Sequence, residues 1–439
     1  MRAYFHNIRA FSPSIRLFLI YNLFANAGFG VFQLVFNLYL LELGMREDDI
    51  GAFSAVQTVA MGVGGLSLGY LVHRLGSWRC VTYGFGLFLV ASTSIAFAEV
   101  RWTLYALSAL YGLGLAFLFN SNMPFLLDWC RRGQRAQATA VSFSLISLSI
   151  TLGSLVGGLF PDTIGALVSS IDSGSVEAYR WTLVAGTAIA AIGAVPLLLM
   201  NEARTSRPAA PEAVVREPEN ASERRQVRQD MSVFVLVGGL MSLGVGMVVP
   251  FYNVFLISLG ADAREVGLVF ALGSAVAAVI GLAAPAVGRR LGALNAVFVL
   301  RMMIVPFYLL LVVWPSIGLA VVSHLVRQTS ISMAWPVDST FIGDLLPPKA
   351  RASVFGLRSA AWNISTAIAA FIGGRIIVRT GYDWTFVSMV GFTTLSASVF
   401  TLYYRRHPLI RSGGLPSALP LKRNRAGETA GPKPVPTSS

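Results

Sequence analysis

Charge is scarce in this sequence. Asp, Glu, Lys and Arg make up 13% of its 439 residues, against about 25% in a soluble domain. Stretches such as 17–41 and 50–72 carry none. An ordinary soluble fold is thereby excluded, since one globule would need a dozen fully buried helices of similar length. Runs of this kind read as membrane helices, because about 20 residues at 1.5 Å rise cross the hydrocarbon. Cysteine is nearly absent: Cys80 and Cys130 have no CxxC spacing, which excludes a thiolate metal site and a disulfide framework. Of four histidines, His6 and His407 fall outside the apolar runs. An intramembrane enzyme would need clustered His, Asp, Glu, Cys or Ser on facing helices, and no HExxH is present. A nucleotide-binding P-loop is missing as well, which disfavours an ATP-driven pump. No cofactor or metal is called for.

Twelve apolar spans are present, near 16–41, 50–72, 80–98, 102–127, 138–160, 181–200, 232–257, 265–287, 294–314, 317–343, 353–376 and 384–404. The expected fold is an all-α membrane protein, with bundles over 1–200 and 232–405. Residues 201–231, rich in Pro, Glu, Arg and Ala, read as a solvated linker able to carry a short surface helix. Residues 406–439 read as a disordered tail. The first span follows a basic start, but its core is too long for a secretory signal.

The net charge of +13 reports orientation rather than nucleic-acid binding, because its location is one-sided. One set of connections holds Arg2, Arg9 and Arg16, Arg74 and Arg79, Arg131, Arg132 and Arg135, Arg289 and Arg290, and Lys349 and Arg351. The alternate set is acidic or sparse, as in Glu42, Glu47, Asp48 and Asp49. Basic connections face the cytoplasm. Both termini are expected there, in the inner or plasma membrane, with anionic headgroups nearby.

The chain repeats itself. FNLYLLELG at 36–44 returns as YNVFLISLG at 252–260, so Asn37 maps to Asn253 and Gly44 to Gly260. At the same offset Gly28, Gly30, Gly51 and Gly65 map to Gly244, Gly246, Gly267 and Gly281. Arg74-Leu75-Gly76 maps to Arg290-Leu291-Gly292, Asp128 to Asp344, and Gly157-Gly158 to Gly373-Gly374. A repeated six-helix unit marks transporter folds in which two related halves rock about a central site.

At GYLVHRLGSWR (69–79) and PAVGRRLGALN (285–295) the chain resembles the major facilitator superfamily of secondary transporters. Gly69, Leu71, Arg74 and Gly76 fit that family's Gly-x-Leu-x-Asp-Arg-x-Gly-Arg-Arg loop, and Arg290 and Gly292 fit its second copy. His73 and Arg289 stand where the family has an acid. The resemblance implies two bundles of six and a cytoplasmic gate. Arg74 with Asp128, and Arg290 with Asp344, are its candidate latches; the alternative is a pair of solvated surface contacts. GSLVGG (153–158) is similar to the family's Gly-Pro-x-x-Gly-Gly element, with Ser154 for the proline. Its glycines also suit close helix packing. Ser108 occupies the place of the family's proton-coupling arginine.

Polar groups inside spans are costly, about 2.5–3.5 kcal/mol or more for a charge. Arg327 lies near the middle of the tenth span, with His324, Trp335 and Asp338 near the same face. Ser108, Tyr111 and Asn122 hold the positions of His324, Arg327 and Asp338 in the fourth span. Asn22, Asn26, Gln33 and Asn37 form one stripe on the first span, and Tyr252 and Asn253 lie on the seventh. In the resembled family these four spans line the central cavity. The expected substrate site is Asn26, Gln33, Asn37, Tyr111, Asn122, Tyr252, Asn253, Arg327 and Trp335. Asn22 and Asn253 have a second reading as helix–helix hydrogen bonds. Asp338 and His324 are the candidate proton carriers; Asp338 is equally placed to pair with Arg301 or Arg358.

The functional expectation is a secondary transporter of a small organic solute working by alternating access. Export of amphipathic or anionic compounds is preferred over sugar or organic-anion uptake, and a non-transporting sensor on the same fold stands as a third reading. The expected partners are the solute, a coupled proton or other ion, and membrane lipid, with no nucleic acid and a monomeric chain.

Overall fold

Helix ends follow the punctuation of the sequence. Ser12 caps the first span and accepts from the Ile15 amide, and Pro13 opens the helix, where its missing N–H costs nothing. Glu47, Asp48 and Asp49 fill the first turn of the second span, facing the positive end of its dipole. Asp262 and Glu265 form a reciprocal capping box at the eighth. Gly44 and Gly76 terminate helices at φ +78° and +86°, and their repeat partners Gly260 and Gly292 do so at +94° and +74°. Only glycine takes this conformation without penalty, so the internal repeat is conformational as well as textual.

The computed structural model describes residues 11–130, 135–168, 171–172, 174–200 and 221–411. All regular structure among them is helical. The first half runs Pro13–Glu42, Glu47–Leu75, Ser77–Phe97, Arg101–Asn120 with Asn122–Trp129, Arg135–Leu167, and Val176–Ile192 with Ala194–Leu198. The second half runs Ala221–Val248 with Tyr252–Ser258, Ala263–Gly281 with Ala284–Leu291, Ala293–Met302 with Val305–Val313, Ile317–Leu345, Pro348–Thr380 and Asp383–Arg405. Prolines explain several breaks: Pro250 sits in a 3-10 turn within the seventh span, and Pro285 and Pro306 lie just inside the second pieces of the eighth and ninth.

Among the described residues, 11 helices are long and apolar enough to cross a membrane. Ile317–Leu345 is long enough, at 29 residues, but it carries His324, Arg327, Asp338 and Asp344 and falls short in apolarity. It supplies the remaining rod of the expected twelve. The seventh helix begins at Ala221, eleven residues inside the stretch expected as linker. The reason is local: ASERRQVRQD contains no Pro or Gly and is rich in helix formers. Residues 201–220 of the expected linker, and 412–439 of the expected tail, lie outside the described residues. Residues 406–411, expected as the start of that tail, instead pack on the bundle, with Pro408–Arg411 helical and His407 and Ile410 buried.

Packing within the halves repeats too. The first span packs on the fifth and sixth, the second on the fourth, and the third on the fourth. The seventh correspondingly packs on the eleventh and twelfth, the eighth on the tenth, and the ninth on the tenth. Between halves, the second span meets the eleventh and the fifth meets the eighth. The outer surface keeps large apolar side chains exposed, Trp102, Leu282, Val313 and Trp314 among them, as contact with hydrocarbon requires.

Candidate functional site

The two halves close on each other at the acid-rich end, through contacts that obey one pseudo-two-fold axis. Asn37 Nδ2 donates to the Pro250 carbonyl at 2.6 Å, and Asn253 Nδ2 donates to the Leu34 carbonyl at 2.9 Å. These are the same bond written twice, since 34 and 250, like 37 and 253, stand 216 apart. The two amides also meet each other, Nδ2 to Oδ1, at 3.3 Å. The glycines follow the same rule. Gly51 abuts the Ala370 carbonyl and Gly267 the Ser154 carbonyl; Gly158 abuts the Ala263 carbonyl and Gly374 the Glu47 carbonyl. A Cβ at Gly158 would sit 2.9 Å from the Gly267 Cα, so backbone would have to move. Tyr382 adds a bond to Glu47 at 3.1 Å across the halves. Burial, reinforced by the Glu47 charge, pushes the Tyr382 phenol up, so it stays a donor. Toward the basic end the second span is bare, with Leu66 72% and Tyr70 63% exposed.

Beneath this clasp lies a pocket of about 190 Å³. The first span supplies Phe29, Phe32, Gln33, Phe36 and Asn37; the second supplies Ser54, Gln57 and Thr58. Tyr111 comes from the fourth, Val249, Pro250 and Asn253 from the seventh, and Phe270 from the eighth. Its walls are aromatic, with Phe32 stacked on Tyr111 at 4.4 Å. The buried Tyr111 hydroxyl has no hydrogen-bond partner among the described residues.

Of the nine expected substrate residues, this pocket brings together Gln33, Asn37, Tyr111 and Asn253. Asn26 is spent within its own helix, on the Asn22 carbonyl at 2.8 Å. Asn122 reaches back to the Leu118 carbonyl at 3.5 Å. Tyr252 is buried and donates to the Ala320 carbonyl at 2.6 Å. Ser54, Gln57 and Thr58 were not singled out from sequence, although spacings of three and four on one helix were the available signal.

Arg327 stands one aromatic layer behind the pocket. It is 3% exposed, and no acid pairs with it among the described residues. Its Nη2 meets His324 Nδ1 at 3.1 Å, its guanidinium lies over the Tyr252 ring at 5.5 Å, and its Nε has no partner. An arginine is always a donor, so His324 accepts at Nδ1 and carries its proton at Nε2. That Nε2 is buried and unpartnered too. The His324 ring packs at 4.7 Å on Phe270, whose other side lines the pocket.

Asp338 belongs to a different cluster. Arg358 grips it with two bonds, at 2.9 and 3.1 Å, and Arg301 reaches it at 2.7 Å. All three are buried. Arg301 also donates to Ser396, which donates to the Val237 carbonyl. Trp335, expected at the substrate site, instead covers Arg358 at 4.2 Å, with Phe234 at 4.5 Å on the same guanidinium. The seventh and ninth to twelfth spans are thus tied around one carboxylate, and Asp338 takes its ion-pair reading.

Of the two expected latches, one falls outside the described residues and the other is open. Arg74 is exposed and stacks over Tyr70 at 5.4 Å, while the side chain of Asp128 lies outside the described residues. Arg290 and Asp344 are both exposed and form no ion pair with each other. Little is lost by that, because a solvated pair is worth about 0–1 kcal/mol. Gly65-Leu66-Ser67-Leu68-Gly69 has the GxSxG spacing, yet Ser67 sits mid-helix and donates to the Gly64 carbonyl at 2.9 Å. A nucleophile elbow needs a strand–turn–helix, and none is there.

The comparisons with known proteins agree with this architecture. A bacterial homolog of the human lysosomal transporter Spinster, solved in an inward-facing and occupied conformation, superposes with a TM-score of 0.71 at 15% identity, over 90% of this chain and 96% of that one. The nucleoside transporter NupG gives 0.69 at 14% identity, over 90% and 100%. A D-xylose-proton symporter gives 0.67 at 14% identity, over 88% and 97%. At these identities the likeness concerns the fold alone. A methylenomycin A resistance protein of Streptomyces coelicolor (strain ATCC BAA-471 / A3(2) / M145) is 30% identical over 98 residues, 22% of this chain. The match spans about a fifth of that relative, 21% of its length. The profile of the Major Facilitator Superfamily matches residues 18–326 and 329–426. The chain therefore belongs to the Major Facilitator Superfamily and is a membrane transporter rather than an enzyme.

Proposed function

We propose that the chain is a secondary transporter that moves a small amphipathic or anionic organic solute out of the cell by alternating access, with its basic end in the cytoplasm. One observation carries the reading: a pocket walled by both halves lies directly under a clasp that both halves build from the same repeated asparagine. Opening that clasp and closing the basic end would pass the pocket from one side to the other.

Charge supports the anionic preference. Arg301, Arg327 and Arg358 are buried in the second half against Asp338 and Asp230, an excess of one cation, and Arg327 is the one that no acid pairs with among the described residues. Aromatic walls and amides suit an amphipathic body. A resistance protein among the relatives supports the outward direction. The pocket is smaller than the roughly 300–1,000 Å³ usual for drug-sized ligands, so a whole solute would also use space toward the basic end. Neither proton candidate offers a free basic atom to the pocket: Asp338 is gripped by two guanidiniums, and His324 accepts from Arg327 at one ring nitrogen and holds its proton at the other.

A thermal-shift screen against anionic and amphipathic compounds should find a stabilising ligand, because a ligand that prefers the folded state raises its apparent stability. That ligand should then exchange in counterflow across reconstituted vesicles. Binding without counterflow would make the chain a sensor and sink the transport reading.

A further inference from the structure

Where the seventh helix runs past its apolar core at the basic end, it forms a groove of about 500 Å³ with the eleventh. The floor is Val227, Met231, Val235 and Leu357, and Arg224 and Arg228 stand over it. The spacing is what membrane depth demands. Val227, Met231 and Val235 recur every four residues along one stripe, and Arg224 and Arg228 lie on the adjacent one. Val235 is about 10 Å along the axis from Arg228 and about 16 Å from Arg224. An apolar trough therefore runs out of the hydrocarbon and ends under two cations at headgroup level.

Both arginines are exposed. Glu223 is exposed beside Arg224, so the exposed side chains of this stretch carry three cations (Arg224, Arg225 and Arg228) to one acid. The other acid near the groove, Asp230, is turned into the core. It is buried and held there by Tyr403 at 2.9 Å and His407 at 3.2 Å, so it does not neutralise this face. Leu357 is 53% exposed at the opposite wall, and the trough is uncovered among the described residues.

We propose that this groove is a binding site for one anionic phospholipid of the basic-side leaflet, its phosphate between Arg224 and Arg228 and an acyl chain along Val227, Met231, Val235 and Leu357. Charge complementarity selects the headgroup, since basic pockets between membrane helices take anionic lipids. The apolar floor selects a lipid over a free anion, which would have no use for it. The bound lipid braces the seventh helix against the eleventh, the helix that also carries the inter-half contacts at Ala370 and Gly374. The site is separate from the solute pocket and does not depend on the transport reading.

The test is native mass spectrometry of the full chain in neutral detergent, titrated with dioleoylphosphatidylglycerol or dioleoylphosphatidylcholine. The wild type should hold phosphatidylglycerol more tightly than phosphatidylcholine. Arg224→Gln/Arg228→Gln should lower the phosphatidylglycerol affinity about thirty-fold, the sum of two headgroup-level cations. Leu357→Trp, which fills the trough and keeps both charges, should weaken the same lipid. Arg224→Lys/Arg228→Lys should retain most of the affinity, and unchanged melting of each variant shows that it is folded. Wild-type affinity in the glutamine or tryptophan variant overturns the site. Displacement of the lipid by excess inorganic phosphate overturns it in favour of a free-anion site. A rise in phosphatidylglycerol affinity on replacing Glu212, Glu217 and Glu219 with Gln overturns it in favour of the acidic linker as occupant.

Discussion

At the scale of single residues, two buried arginine sites are built on opposite principles. Asp338 sits between Arg301 and Arg358, and removing it leaves two guanidiniums buried without a counter-charge. Breaking a buried pair by deleting one partner costs about 3–5 kcal/mol. Asp338→Ala is accordingly expected to melt well below the wild type in detergent; an unchanged melting midpoint would show that the cluster bears no such load. Arg327 is the reverse case, a buried cation with only a histidine and aromatic rings around it. Arg327→Met should leave the protein as stable as before or about 1 kcal/mol more stable. It should nonetheless lose the ligand-induced thermal shift. Loss of stability together with retained ligand binding would remove Arg327 from the solute site.

At the scale of helices, the question is how closely two rods can cross. The fifth and eighth spans meet with Gly158 against Gly267, and the second and eleventh meet at Gly51 and Gly374. Any side chain at Gly158 collides with backbone, which cannot step aside as a flexible side chain can. Gly158→Val should force the acid-rich end apart and raise labelling of a cysteine placed at Ser258 by a membrane-impermeant maleimide. Equal labelling in the two proteins would mean that the crossing does not govern closure. The turns make a second test. Gly44 and Gly260 share a left-handed conformation with open space around each. Alanine at either position should cost about 1–2 kcal/mol, and the two costs should match if the repeat is structural.

At the scale of the whole molecule, the proposed alternating access would make the Asn37–Asn253 clasp the contact that chooses between states. Each interhelical amide bond in a membrane protein contributes about 0.6–2 kcal/mol, so losing both should shift the equilibrium toward the state open at the acid-rich end by roughly tenfold or more. Spin-label distances between the two halves in Asn37→Ala, Asn253→Ala and the double variant would measure this. Because the amides bond each other as well as the carbonyls, the two single effects should not add. Strict additivity would reduce the clasp to two unrelated contacts.

Much of this was legible in the text of the chain. Span number, the two six-helix units and the repeat offset follow from hydrophobic run length and from Gly, Asp and Arg at helix ends. These are local properties, set by the cost of backbone polar groups in hydrocarbon. The polar stripe on the first span was legible as a stripe, but its members have three fates: Asn26 bonds within its helix, Gln33 lines the pocket, and Asn37 clasps the other half. Asp338 could be read as charged and intramembrane, while its partners at positions 301 and 358 are fixed only by how the ninth, tenth and eleventh spans dock. The sequence alone thus determined which segments cross the membrane and that they come in two related sets, because transfer into lipid depends on each segment's own composition. Tertiary structure decided which polar group meets which, because that depends on the rotation of each helix about its axis and on the symmetry by which the halves meet.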